Sequence, residues 1–331
     1  MRIDILATES LGVRGLCCLV SIDNRRILID PGIALGYLRH GQLPHPFQVG
    51  VGAMIRSDII STLESVTDVV ISHFHGDHVP LIDANPYQMP MPSVAHLLRE
   101  PRLWAPSRED LSYVMRQRRE AIQRACGAPL REVEGTTDGP LCFSTAMPHG
   151  EYNNGLGTVM MTRIEENGFV FVHASDIQLL ERHPISQIVE WKPDVVLVSG
   201  PPVYLPQLSE SCRKKAWQNA LYLANRVPFL VIDHHLLRSQ QGIEWLDKLD
   251  AETRNRVGCA ADFMGQRRRF LEAWRRKLYK DLPVPQGWHT DYAHGKTDTS
   301  NYQRWRDWDL SQICDRRNKE ENTNNESTDT K

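Results

Sequence analysis

Apolar positions fall along this chain in short runs whose period switches between that of a strand and that of a helix. Residues 1–6 alternate weakly and predict an opening strand. A second strand is predicted over 15–21, a turn at Asp23-Asn24, and a third strand over 26–30. Residues 53–64 place Ile55, Ile59, Ile60 and Leu63 on one side of a short helix. The run Val69-Val70-Ile71 is too short and too continuous for an amphipathic helix and reads as a buried strand. A longer helix is predicted over 108–126, capped by Ser107 and ended by Gly127 and Pro129. Strands follow at 140–145 and 158–162, and Asn167-Gly168 signals a hairpin into 169–173. Beyond it come a helix at 178–191, a strand at 194–199, a helix at 209–225 and a strand at 228–232. Residues 240–280 are mostly helical in pattern, with an apolar stripe of Phe263, Met264, Phe270, Leu271, Trp274 and Leu278. Pro283-Val284-Pro285 stops them, and 286–315, with Trp288, His289, Tyr292, Trp305 and Trp308, reads as an irregular wrapping arm or lid. Residues 316–331 are charged, rich in Asn and without large apolar groups, which predicts a disordered tail. Strands alternating with helices, twice over, make this an α/β chain.

Composition narrows the picture only slightly. With 331 residues, 41% hydrophobic and 24% charged, the chain has ample material for a large core in one or two domains. A formal net charge of −2 offers no global attraction to nucleic acid or membrane, and no apolar run approaches a membrane span. The seven cysteines are odd in number and contain no Cys-x-x-Cys, which argues against a disulfide framework and for a reducing compartment. The opening residues also lack the make-up of a signal peptide, so a cytoplasmic protein is expected. One local imbalance stands out. Residues 254–280 hold nine Lys or Arg against two acids, a concentration suited either to phosphate contacts or to a solvated helix face.

The chemistry is concentrated at Ser72-His73-Phe74-His75-Gly76-Asp77-His78, directly after the Val69 strand. His73 and His75 lie two apart, so an extended backbone projects both imidazoles from one face. Gly76 allows a sharp turn, after which Asp77 and His78 can approach the same point. Imidazole nitrogens and a carboxylate suit zinc, iron or manganese. Three histidines and an aspartate so closely spaced are poorly explained as a polar strand end, and they predict a metal site.

The pattern His-x-His-x-Asp-His resembles the defining motif of the metallo-β-lactamase superfamily. The words Glu9-Ser10-Leu11-Gly12-Val13-Arg14, Ile29-Asp30-Pro31-Gly32 and Ile232-Asp233-His234-His235 are similar to an uncharacterised archaeal family of metallo-β-lactamase-fold hydrolases, over most of residues 1–315. The resemblance implies an α/β (α+β) four-layer αββα sandwich with a helical C-terminal extension. The expected division is a catalytic domain at 1–239, an extension packed on it at 240–315 and a tail at 316–331. It also implies a binuclear site holding two divalent metal ions, zinc foremost, with iron or manganese compatible. His73, His75 and His149 would face one metal, Asp77, His78 and a late histidine the other, with Asp176 bridging. Asp30 would support the site from behind, or merely cap a turn. If the backbone after Ile232 stays extended, His234 and His235 point opposite ways. His234 then reaches the edge first as the last ligand, and His235 stands behind it, against substrate, or as the alternative ligand.

A metal-activated water with Asp77 as the orienting catalytic carboxylate would make the protein a hydrolase. The basic segment and the aromatic residues after 286 favour a phosphodiester or nucleic-acid-like substrate. Against long RNA, the gap from Asp176 to His234 leaves no room for a large inserted domain. A small lactone, ester or thioester is the alternative, and a metal-binding sensor or redox module without turnover is the reading from another class. No membrane or obligate protein partner is expected.

Overall fold

The computed structural model of the protein describes residues 1–109, 111–151 and 155–303. Trp305, Trp308 and the tail at 316–331 lie outside the described residues. Two mixed sheets form the centre of the molecule. The first is six-stranded, in the order β1 (Arg2–Ala7), β2 (Cys17–Ile22), β3 (Arg25–Ile29), β4 (Asp68–Val70), β5 (Arg102–Ala105) and β6 (Arg131–Glu132). Its β1–β2–β3 portion is an antiparallel meander, and β4 to β6 continue it in parallel.

The second sheet is seven-stranded and built to the same plan. Strands β7 (Thr137–Asp138) and β8 (Leu141–Phe143) lead by antiparallel pairing to β11 (Thr162–Glu166) and β12 (Phe169–His173). Strands β13 (Val195–Val198), β14 (Phe229–Ile232) and β15 (Val257–Gly258) then extend it in parallel. The shared order of antiparallel hairpins followed by parallel strands reveals two related halves that no repeat in the residues announces. A separate two-stranded ribbon is formed by β9 (Met147–Pro148) and β10 (Thr158–Val159). The hairpin at Asn167-Gly168 is as its residues predict, with φ of 53° and 81°.

The sheets face each other across one continuous core. Trp104 of β5 and Phe143 of β8 meet with ring centroids 5.9 Å apart, and the Met160 N–H donates to Ser72 O at 2.9 Å. Helices cover the outer faces: α1 (Pro46–Leu63) packs on β1, and after α2 (Met91–Val94), α3 (Tyr113–Cys126) and α4 (Arg182–Glu190), α5 (Glu210–Ala224) packs on β14. This is the αββα sandwich.

Several element boundaries differ from their expected positions, three of them instructively. Helix α1 begins at Pro46 rather than at 53, because His45 caps it: its Nδ1 accepts from Phe47 N–H at 3.1 Å while Nε2 donates to Leu282 O at 2.8 Å. Helix α3 begins after Ser112, whose hydroxyl accepts from Met115 N–H, rather than after Ser107. Within 240–280, the strand β15 separates α6 (Gln240–Glu252) from the short α7 (Ala260–Phe263) and from α8 (Arg275–Asp281).

The C-terminal part is strapped to the loop at 36–48. Arg275 is fully buried, and its guanidinium donates to Gly36 O at 2.6 Å, to Gln42 O at 3.1 Å and to Gln48 Oε1 at 3.2 Å. Farther along, α9 (Trp288–Ala293) sets His289 between the hydroxyls of Tyr87 and Tyr279, each 2.9 Å away. These contacts fix a loop that carries Arg39 towards the carboxyl ends of the strands. There the chemistry-bearing residues of both sheets converge, as is general for parallel α/β sheets.

Candidate metal centre

Each side chain of the cluster is delivered by a strand end. The backbone leaves β3 at Asp30, β12 at Ser175 and β14 at His234 with φ of 51°, 53° and 40°. Left-handed conformations at non-glycine residues are sparse and cost on the order of 1–3 kcal/mol each, so three of them at one site mark a strained, purpose-built arrangement. Gly32 completes the first turn. A Cβ there would lie 2.2 Å from the carbonyl carbon of His78 and the nitrogen of Val79, so only glycine lets the two loops touch.

Asp30 sits behind the centre. It accepts from Ser72 N–H at 2.7 Å, from the Ser72 hydroxyl at 2.6 Å and from His78 Nδ1–H at 2.9 Å. Ser72 Oγ in turn lies 2.9 Å from His73 Nδ1 and 2.6 Å from Ser175 Oγ, which ties the two sheets together. With their Nδ1 atoms engaged, His73 and His78 present Nε2 inward. His75 turns its Nδ1 to within 3.0 Å of His73 Nε2.

Asp176 Oδ2 is the meeting point. The Nε2 atoms of His73, His78, His149 and His235 lie 3.5, 3.3, 3.0 and 3.2 Å from it. His234 Nε2 lies 3.7 Å from the other carboxylate oxygen and 3.4 Å from Asp77 Oδ2. The structure therefore brings together every residue singled out from the motif and the resemblance: His73, His75, Asp77, His78, His149, Asp176, His234 and His235, with Asp30 behind. The premise of an extended backbone at His234 does not hold. Its left-handed φ turns the chain, so both His234 and His235 face Asp176 instead of pointing apart. His173 has no place here; its Nε2 donates to Leu16 O at 2.8 Å in the core.

The electrostatics fit a bound cation. Burial pushes the His75 imidazole down to about 2, helped by His73 and His149 alongside, so it is a bare nitrogen donor. Burial also pushes His78 down, but Asp176 and Asp30 outweigh it and hold that imidazole well above its usual range. Burial would raise Asp77, yet the hydrogen bond from His234 and the charges of His78 and Arg238 hold it well below the carboxylate range. His78 Nε2 and Asp176 Oδ1 are buried without any hydrogen-bond partner among the described residues. Orphaned buried donors and acceptors are costly, and lone pairs crowded around one carboxylate repel unless a cation lies among them. Ligand atoms of His73, His75, His149 and Asp176 lie within 4.8 Å of one another, as do those of Asp77, His78 and His234. The donor set fits divalent metal.

Three residues line the centre beyond the expected ligand set. Gln178 reaches both His149 Nδ1 and His235 Nδ1. Glu9 is buried 3.8 Å from His234 Nδ1, its carboxyl raised well above the usual range by burial and by Glu272. Arg238 stretches over His234 and reaches Asp77 Oδ2 at 3.5 Å. The basic stretch at 254–280, suited in sequence either to phosphate contacts or to a solvated face, has several of its cations engaged within the protein. Arg275 is buried in the strap described above, Arg268 is paired with Asp262 and Asp247, and Lys277 with Asp281.

The family model of the metallo-beta-lactamase superfamily matches residues 12–151. A UPF0282 protein of Methanosarcina mazei is 45% identical over 302 residues, covering 91% of this chain and 99% of that protein. A UPF0282 protein of Thermococcus gammatolerans is 32% identical, covering 85% and 95%. Among solved structures, an isothiocyanate hydrolase from Delia radicum gut bacteria superposes with a TM-score of 0.47 at 14% identity, covering 75% of this chain and 94% of that one. The chain belongs to the UPF0282 family, an archaeal family with the metallo-β-lactamase fold.

Proposed function

We propose that the protein is a metal-dependent hydrolase of a phosphodiester-type anionic substrate. His73, His75 and His149 would hold one divalent cation, Asp77 and His78 a second, with Asp176 between them and one of the pair His234 and His235 closing the set. Zinc suits these donors, and iron or manganese is compatible. Bound there, the cations supply Lewis acidity and bring the pKa of a coordinated water towards neutrality. The chain's own residues do the rest: Asp77 orients the attacking water, Asp30 and Ser72 fix His78 and His73, and the sheet ends exclude bulk solvent.

The observation that carries the substrate class is a wall of arginines on the Asp77 side. Arg238 approaches Asp77 Oδ2 at 3.5 Å, and Arg39 donates to Arg238 O at 2.7 Å while its guanidinium lies over the Tyr204 ring. Arg14 stands beside them, paired with Glu272 at 2.5 Å. Planar guanidinium groups close to the reacting centre suit phosphoryl oxygens. The test is a panel of phosphodiester, lactone and thioester substrates, run on the metal-loaded wild type and on Arg238→Ala. Turnover concentrated on the phosphodiester, with kcat/KM falling at least roughly tenfold in the variant, is expected from the loss of a charged contact. Faster lactone or thioester hydrolysis, indifferent to Arg238, would overturn the assignment.

One observation favours the second reading, a small ester, lactone or thioester. Tyr113, Val114 and Leu156 are exposed apolar residues next to Met115 and Gly157, on the His149 side. They suit an apolar leaving group, and the same panel decides. A metal sensor without turnover would bind metal and hydrolyse none of the three.

A further inference from the structure

We infer that Gln178 prepares two of the histidines at once, and that it makes His235 rather than His234 the last nitrogen donor of the centre. The inference rests on the metal-centre reading above. Gln178 is buried, two residues after Asp176, and the inner end of its amide lies 3.3 Å from His149 Nδ1 and 3.1 Å from His235 Nδ1. A neutral imidazole has one bare nitrogen. If His149 gives Nε2 to a metal, its proton is on Nδ1 and needs an acceptor. Among the described residues Gln178 is the group within reach, so it must turn its oxygen inward, a half-turn of the amide. A carbonyl oxygen has two lone pairs, and the second falls to the Nδ1–H of His235. His235 is thereby left with a bare Nε2 aimed at Asp176 Oδ2, 3.2 Å away. Two lone pairs held at that distance call for a cation between them.

His234 is held the other way round. The main-chain N–H of Gly15 donates to its Nδ1 at 3.1 Å, and a backbone donor cannot exchange ends. Gly15 itself is fixed in place, since φ there is 133° and a Cβ would lie 2.8 Å from Asp77 O. The ring proton of His234 therefore resides on Nε2, 3.4 Å from Asp77 Oδ2. Arg238 Nη2 is 2.8 Å from Nε2 and 3.3 Å from Nδ1, nearly equal distances that place the guanidinium over the ring face. His234 thus clamps Asp77 as a hydrogen-bond donor, with Arg238 stacked upon it. The closeness of His234 to Asp77 and His78 is that of a positioning residue, and the nitrogen donor comes from its neighbour.

The experiment measures zinc per chain after dialysis, and zinc affinity by chelator competition, on the full chain, with circular dichroism of each metal-free variant as the folding control. Wild type should hold two ions, His234→Ala two, and His235→Ala one; His235→Gln serves if the alanine variant misfolds. Gln178→Met should weaken zinc binding roughly 10–100-fold, as removal of such supporting groups does. Gln178→Glu, which keeps an oxygen acceptor, should restore most of it. Loss of an ion in His234→Ala with both retained in His235→Ala overturns the inference while leaving the centre intact, as does unchanged affinity in Gln178→Met. A wild type that holds no zinc, iron or manganese overturns the centre itself and this inference with it.

Discussion

Asp176 and Asp233 are both buried aspartates just beyond the ends of strands in one sheet, and they differ in what surrounds them. Asp233 is saturated with donors: Thr8 Oγ1 at 2.7 Å, Ser10 N–H at 2.9 Å, His234 N–H at 2.8 Å and Ala260 N–H at 2.9 Å. It ties the first loop, the strand end and α7 together. Among the described residues Asp176 faces imidazoles, and its Oδ1 has no hydrogen-bond partner. Burial pushes both carboxyls upward. At Asp233 burial prevails over the donors, whereas at Asp176 the surrounding histidines outweigh it and hold the group well below the carboxylate range. A buried carboxylate with every lone pair satisfied belongs to the fold. One left open among imidazoles belongs to a site.

The sharpest way to break this comparison is to remove each carboxylate. Asp233→Ala orphans three buried main-chain N–H groups, and a loss of about 3–5 kcal/mol in urea denaturation is expected. Asp176→Ala, by contrast, should cost the metal-free protein less stability than Asp233→Ala does while most bound metal disappears, and His75→Ala should behave alike. A large drop in the melting temperature of metal-free Asp176→Ala would place Asp176 with Asp233 as a structural group.

A third buried carboxylate sharpens the rule through pH. Asp68 of β4 accepts from Arg25, Arg102, Thr67 and Trp104 Nε1. Burial raises its pKa, but the hydrogen bonds from Arg25, Thr67 and Trp104 prevail and lower it. A depressed folded-state pKa contributes stability that is present above the unfolded value of about 3.9 and is lost as pH falls through the folded one. Urea midpoints of wild type should therefore fall more steeply below about pH 4 than those of Asp68→Asn. Parallel slopes would show that Asp68 is not linked. The smallest effect belongs to an exposed pair. Arg268→Gln, which breaks contacts with Asp262 and Asp247, should change stability by less than about 1 kcal/mol. It should also leave KM for an anionic substrate unchanged, and a raised KM would return the basic stretch to substrate binding.

Strand ends with short-range chemistry were legible from residues alone. The run at His73 to His78 needs only period-two geometry and a glycine turn, and Asn167-Gly168 needs only its two left-handed positions. What escaped depends on partners distant in the chain. His45 is an unusual cap whose other nitrogen is fixed by Leu282, and β15 is a strand only because β14 lies beside it. Residues 254–280 look like a free basic face because their neutralising partners, such as Asp247 and the carbonyls of Gly36 and Gln42, lie outside the window. Gln178 is invisible for the same reason: its meaning lies in two imidazoles, one before it and one well after.

The Ser72 hydroxyl, shared between Asp30 of one sheet and Ser175 of the other, has a consequence for how the protein is made. Synthesis delivers His73, His75, Asp77 and His78 early, and Asp176 and the His234–His235 pair only after the second half has emerged. Neither half alone can gather the full set of donors, so stable metal uptake waits for the halves to dock, as domain-by-domain folding requires. On the proposed function, metal capture would act as a checkpoint on completed assembly, and chelation should loosen the joint at Ser72 while each sheet stays folded.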